Sequence, residues 1–317
     1  MKRLRIVTVF AVLAVILAPR GSQAQSPAGS ATASATQSAA QAMMRVKVLA
    51  LLKEASVYRD VPYATVSGTT LLLDLFVPKD AAKPVPLVIW IHGGGLVRGD
   101  KASGHRILPL LPLGYAVASI NYRLAPAATW PAQLYDCKAA VRWLRAHAAQ
   151  YGLDPNRIAV GGDSSGGHLA SLLGTTINHP ELEGDEGNPG VSSSVKLVLD
   201  FFGPSNLVES AQRHPQKAEM VMGATGAAAV EKERAASTLT YVDAHTCPFY
   251  IAHGDQDKGV PLQQSLELDA ALKKAGVPEV LHVVRGKGHE FVDEGANQGM
   301  IDFLRKYLST VRMTSSY

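Results

Sequence analysis

Between Val57 and Leu308, short apolar runs alternate with amphipathic segments of helical period. No other feature constrains the fold of this chain as tightly. The strand candidates are Val57–Thr65, Leu71–Val77, Leu87–His92, Ala116–Asn121, Ile158–Gly162, Leu197–Phe202, Phe249–His253 and Val280–Val284. Helices are expected between them at Ile107–Leu113, Pro131–Gln150, Gly166–Thr176, Leu262–Ala275 and Ala296–Leu308. Ser67-Gly68 joins the first two strands and is a hairpin signal. Later runs such as Leu87-Val88-Ile89-Trp90-Ile91 are continuous rather than alternating, the pattern of a strand covered on both faces. An antiparallel start followed by βαβ units predicts an α/β fold: a mostly parallel, eight-stranded open sheet with helices on both faces. Ligands bind such sheets beyond the carboxyl ends of the strands.

Composition narrows the function classes. The chain has 317 residues, 47% hydrophobic and 18% charged, and a formal charge of +4. Lys2, Arg3, Arg5 and Arg20 supply all of that excess, so the chain beyond residue 24 is neutral and carries no basic footprint for nucleic acid. Residues 1–24 read as a signal peptide: a basic start, an apolar run Ile6–Ala18 too short to span a bilayer, then Ser22-Gln23-Ala24 before Gln25. That predicts export, to the periplasm or beyond, with no stable membrane span after processing. Residues 25–41, rich in Ser, Ala, Thr and Gln, read as a disordered linker, and 42–317 as the folded domain. Met43–Leu52 has a short helical pattern. Cys137 and Cys247 are too few for a disulfide scaffold and have no zinc-ligand spacing. Topology places them at opposite ends of the sheet, as free buried thiols.

Four strand ends carry the chemistry. Ile158–Gly161 runs into Gly162-Asp163-Ser164-Ser165-Gly166-Gly167 and then a helix. This is strand, G-x-S-x-G, helix, a turn that pushes Ser164 Oγ out over the strand end. A trypsin-like protease also shows Gly-Asp-Ser-Gly-Gly, but that fold is all-β and places its histidine first. His92-Gly93-Gly94-Gly95 follows another strand, and its bare backbone can present N–H groups to an oxyanion. The expected donors are Gly94 and Gly95, with Ser165 completing the set. A phosphate loop would need Gly-Lys-Ser/Thr, and Leu96-Val97-Arg98 follows instead. His92 reads as a residue that holds the loop.

Chain order in this architecture is Ser, Asp/Glu, His. His289, in Gly286-Lys287-Gly288-His289-Glu290-Phe291 after the last strand, is at the base position. Asp255 and Asp257 both qualify for the acid, in the loop of His253-Gly254-Asp255-Gln256-Asp257. Asp257 lies further out over the sheet, which favours it. The segment Ser205–Ala244 is too long for a turn. It has helical stretches near Pro215–Met222 and Ala227–Ala236, so a small cap over the pocket is expected. Arg123 reads as an anchor for the Leu124–Trp130 loop rather than an anion site.

Together, His92–Gly95, Asn121-Tyr122-Arg123-Leu124-Ala125-Pro126, Gly162–Gly167 and His253–Asp257 resemble α/β-hydrolase esterases, in particular the hormone-sensitive-lipase-like enzymes and bacterial feruloyl- and acetyl-esterase-like relatives. The resemblance runs from about Asp60 to Leu308. It implies the α/β-hydrolase fold and hydrolysis of carboxylic esters, with the triad Ser164, Asp257 and His289 and no cofactor or metal. Short-chain or carbohydrate-linked esters, acetyl or feruloyl, are the implied substrates. Leu96 stands where these relatives often have an aromatic residue, and Ala127 where they often have Glu, changes that bear on the pocket wall or loop anchoring. The same fold also hosts amidases, peptidases, formamidases and inactive binding proteins. A binding protein of that kind is expected to lack a triad member, and this chain has all three.

Overall fold

The computed structural model describes residues 46–309. The expected signal peptide and linker lie outside the described residues. Residues 46–53 form a helix, α1, at the expected position. Eight strands follow: β1 Ala55–Val66, β2 Thr69–Pro78, β3 Val85–Ile91, β4 Ala116–Ile120, β5 Leu153–Asp163, β6 Val198–Phe201, β7 Phe249–Gly254 and β8 Glu279–Val284. Each overlaps its expected run. They make one sheet in the order β1-β2-β4-β3-β5-β6-β7-β8. β2 is antiparallel to β1 and β4, and every later pairing is parallel.

The continuous apolar runs arise because both faces are covered. Leu87, Ile89 and Ile91 of β3 face one core, with Leu134, Leu169 and Leu268 from helices α2 (Ala132–Ala146), α4 (Ser165–Thr175) and α8 (Leu262–Lys274). Val88 and Trp90, on the opposite face, pack with Ile107, Leu110, Met300 and Leu304. These come from a 3₁₀ segment, Lys101–Leu113, and from α9, Glu294–Leu308.

Three helix expectations change. The Ile107–Leu113 segment is 3₁₀ rather than α, since Pro109 and Pro112 have no N–H for an α ladder. The expected Pro131–Gln150 helix breaks at His147, leaving α3 at Ala148–Tyr151. There the His147 ring Nδ1 and its own N–H both turn to the Trp143 carbonyl, at 2.8 and 3.0 Å. The cap has three helices, not two: α5 Leu207–Arg213, α6 Pro215–Met222 and α7 Gly226–Ala235. Seven residues in α5 are too few for an apolar period to show.

β3 lies between β4 and β5, so the chain leaves β3 toward one side and returns on the other. Such a switch point opens a crevice beyond the strand ends. Ile91 of β3 pairs with Gly162 of β5, which sets His92–Gly95 beside Asp163–Ser165.

Candidate active site

The turn from β5 into α4 is sharp. Ser164 adopts φ +53° and ψ −122°, a region costly for a residue with a Cβ. Its N–H donates to Phe201 O at 2.9 Å, and its carbonyl accepts from His168 N at 3.0 Å. A Cβ on Gly162 would collide with the backbone of Gly166 and of Ile91. Only glycine there lets the helix close on the strand and turn Ser164 outward.

His289 and Asp257 arrive from the loops after β8 and β7. Ser164 Oγ–H donates to His289 Nε2 at 2.9 Å, and His289 Nδ1–H donates to Asp257 Oδ2 at 2.7 Å. The Phe202 ring stands edge-on to the imidazole, 4.9 Å between centroids. Asp257 Oδ1 accepts from Gly259 N at 2.8 Å and Val260 N at 2.9 Å. The structure also separates the two aspartates. Asp255 Oδ1 accepts from Gly286 N at 2.7 Å and ties one turn to the next, with no contact to His289.

A second histidine, which sequence reasoning assigned no role, completes the acid's surroundings. His253 is fully buried at the end of β7. Its Nε2 lies 2.9 Å from Val260 O and 3.2 Å from Asp257 Oδ2. Both are acceptors, so Nε2 carries a proton, and Ser265 Oγ–H donates to Nδ1 at 2.6 Å. Burial alone raises the Asp257 pKa. Hydrogen bonds from His253 and His289, the His289 charge and the Val260 N–H outweigh it and hold the carboxyl well below the usual range. Asp257 is therefore ionised throughout the neutral range. The signal for His253 was its place four residues before Asp257, but only the loop's closure brings the two together.

The Gly-rich loop differs in one respect from expectation. Gly95 N–H already donates to Ser165 Oγ at 2.8 Å, and Leu96 N–H reaches the same oxygen at 3.3 Å. Among the described residues, the N–H groups of Gly94 and Ser165 have no acceptor. The three expected oxyanion donors thus reduce to two free ones, because the Ser165 hydroxyl occupies the third. His92 holds the loop as expected. Its ring stacks on Tyr122 at 4.3 Å, and Tyr122 O–H donates to its carbonyl at 3.0 Å. Arg123 is likewise an anchor, forked onto Asp136 with bonds of 2.7 to 3.0 Å.

These groups open on a cavity of about 990 Å³. Its walls include Leu96, Phe202, and Leu207, Val221 and Met222 of the cap. Leu96 thus bears on the pocket, whereas Ala127 is exposed and lies outside the lining. His168 lines it too; burial pushes its imidazole pKa down to about 4, against the raising effect of its bond to Pro204 O. Cys137 and Cys247 are both free and buried. Among the described residues no cluster of metal-ligating side chains forms, and no helix is long and apolar enough to cross a membrane.

Esterase LipQ of Mycobacterium tuberculosis is 31% identical over 75% of this chain, which spans 58% of that relative's length. A truncated carbohydrate esterase from gut microbiota superposes with a TM-score of 0.74 at 29% identity, over 81% of this chain and 97% of that one. Esterase Est2 of Thermogutta terrifontis gives 0.68 at 25% identity, over 82% and 95%. The BD-FAE family model matches residues 73–272, more than half of the sequence, from β2 into α8. With that match, the eight-stranded sheet and the elbow at Ser164, the chain belongs to the BD-FAE family of the α/β-hydrolase fold.

Proposed function

We propose that this protein is a serine carboxylesterase acting on short-chain or carbohydrate-linked esters. The observation that carries the reading is the unbroken hydrogen-bonded chain Ser164–His289–Asp257, with links of 2.9 and 2.7 Å, at the floor of a cavity. Ser164 Oγ attacks the ester carbonyl carbon while His289 Nε2 takes its proton. The oxyanion settles on the N–H groups of Gly94 and Ser165, each such donor worth roughly 3 kcal/mol of barrier. His289 returns the proton to the leaving alkoxide, and the C–O bond breaks. A water, deprotonated by His289, then attacks the acyl-enzyme, and His289 passes that proton to Ser164 Oγ as its bond to the acyl carbon breaks and the acid is freed. Asp257 stays ionised, fixes the tautomer of His289 and stabilises its cation.

The likeness to a carbohydrate esterase supports esters on sugars, and a cavity of about 990 Å³ has room for a sugar or an aromatic acyl group. Residues 1–24 support an extracytoplasmic site of action. A fluorophosphonate probe tests the nucleophile: it should label the wild type, and Ser164→Ala should abolish both labelling and hydrolysis of p-nitrophenyl acetate while the fold survives. Labelling that persists in the variant would mean another nucleophile. Acetylated xylan and methyl ferulate, set beside a p-nitrophenyl ester series and matched anilides, resolve the substrate and separate esterase from amidase.

A further inference from the structure

We propose that Arg98 and Lys217 form an anion subsite beside the oxyanion loop, and that the preferred ester carries a carboxylate that docks there. This rests on the esterase reading above and deepens it to a substrate class. The two cations come from different elements and stand against adjacent glycines of the loop, Arg98 at Gly94 and Lys217 at Gly95. Arg98 closes the loop, and its backbone and side chain fill the space a Cβ on Gly94 would need. Lys217 descends from α6 of the cap, and its Nζ lies 3.3 Å from where a Cβ on Gly95 would stand. Both line the cavity.

Neither cation has a counter-charge. Among the described residues, no carboxylate lies within ion-pairing distance of Arg98 or Lys217, while the other cations of the wall are engaged. Arg106 is 3.3 Å from Asp163, and Arg213 is 4.0 Å from Glu209. The wall's acids lie elsewhere or are spent. Asp163 faces Arg106, Asp100 caps the 3₁₀ segment through Ala102 N, and Glu233 is buried among the cap helices and pushed toward its neutral form by that burial. Glu290, exposed, follows His289 on the far loop.

Both side chains are exposed where the cavity opens to solvent, and the ammonium of Lys217 is held less readily than usual, first through partial desolvation and then through the charge of Arg98, so the two feel each other. Two like charges brought together without a counter-ion repel, and an anion between them relieves the repulsion. The subsite adjoins the N–H of Gly94, where the ester carbonyl oxygen is placed in the proposed reaction. The carboxylate of the substrate therefore sits close to the ester, either on the acyl part, as in a dicarboxylic half-ester, or on the alcohol part, as in an acetylated uronic acid.

Steady-state kinetics on two matched pairs decides this. p-Nitrophenyl hydrogen succinate against p-nitrophenyl butyrate tests the acyl part. O-acetylated glucuronic acid against O-acetylated methyl glucoside tests the alcohol part. The wild type should favour the anionic member of one pair by about tenfold or more in kcat/KM at low salt, through KM. Lys217→Gln and Arg98→Gln should each remove most of that ratio, Lys217→Arg should retain it, and 0.5 M NaCl should erode it. The responding pair identifies which part carries the charge. Hydrolysis of the butyrate ester with no anionic preference in either pair, or a preference untouched in both Gln variants, overturns the subsite and leaves the esterase reading intact. A wild type that hydrolyses none of the four overturns both.

Discussion

Asp257→Asn is the substitution whose consequences follow most directly from the geometry. Asp257 accepts three hydrogen bonds, two at Oδ1 from backbone N–H groups and one at Oδ2 from His289, and His253 Nε2 approaches Oδ2 to 3.2 Å. An asparagine that keeps its oxygen on Gly259 and Val260 must place its NH₂ where Oδ2 stood. That NH₂ faces His289 Nδ1, 2.7 Å from Oδ2, and His253 Nε2, 3.2 Å from it. His289 can adapt only by moving its proton to Nε2, which then cannot accept from Ser164. The wrong tautomer should lower kcat on the order of 10⁴-fold, or about 5 kcal/mol of barrier. His253 cannot adapt at all, since Val260 O already requires a proton on its Nε2. Its N–H meets a second donor, at a stability cost of about 1–3 kcal/mol. Kinetics on p-nitrophenyl acetate, with thermal melts alongside, separate the two effects. Asp255→Asn is the control. It keeps an oxygen for Gly286 N–H and should remain near normal in kcat. An Asp257→Asn enzyme within tenfold of wild type, or a dead Asp255→Asn, would refute the assignment of the acid.

Other outcomes follow from the same contacts. Ser165→Ala deletes the acceptor shared by Gly95 and Leu96 N–H; two lost hydrogen bonds, about 1 kcal/mol each, should loosen the loop and lower kcat roughly tenfold with little change in KM. A variant equal to wild type in kcat would show that the hydroxyl does not order the loop. His168 is buried, with a pKa pushed down to about 4 from 6.5, so between these values the unfolded chain binds a proton that the folded one refuses. Stability should fall as pH drops from 6.5 to 4, by about 3 kcal/mol from this group alone. Asp257, depressed rather than raised, contributes stability above about pH 4 and loses it only in stronger acid. Urea midpoints of wild type and His168→Gln across pH 4–7 check this, and parallel curves would count against it. For export, intact mass of protein recovered outside the cytoplasm should correspond to a chain beginning at Gln25; a full-length product held in the membrane speaks against cleavage.

What was legible in the sequence is what short stretches of chain decide for themselves. Buried strands announce themselves as apolar runs, and the glycines around Ser164 announce a turn no other residue permits, so the eight strands and the elbow could be located by inspection. His289 followed from chain order once the elbow was placed. The distinction between Asp255 and Asp257 was only weakly visible, because two aspartates two positions apart on one loop differ in nothing local. The β7 and β8 loops turn one toward Gly286 and the other toward His289. His253 looked like a strand end, and Ser165 drew a role only for its backbone N–H, not for its hydroxyl. Their contacts, with Asp257 through loop closure and with Gly95 through the β3–β5 register, link segments distant along the chain. Lys217 is further still from the loop it overhangs, on a cap helix. Periodicity and turn chemistry report on a handful of neighbouring residues, whereas hydrogen bonds and ion pairs are set by distances of 2.5 to 3.5 Å across the fold, and only packing of the whole sheet and cap determines those.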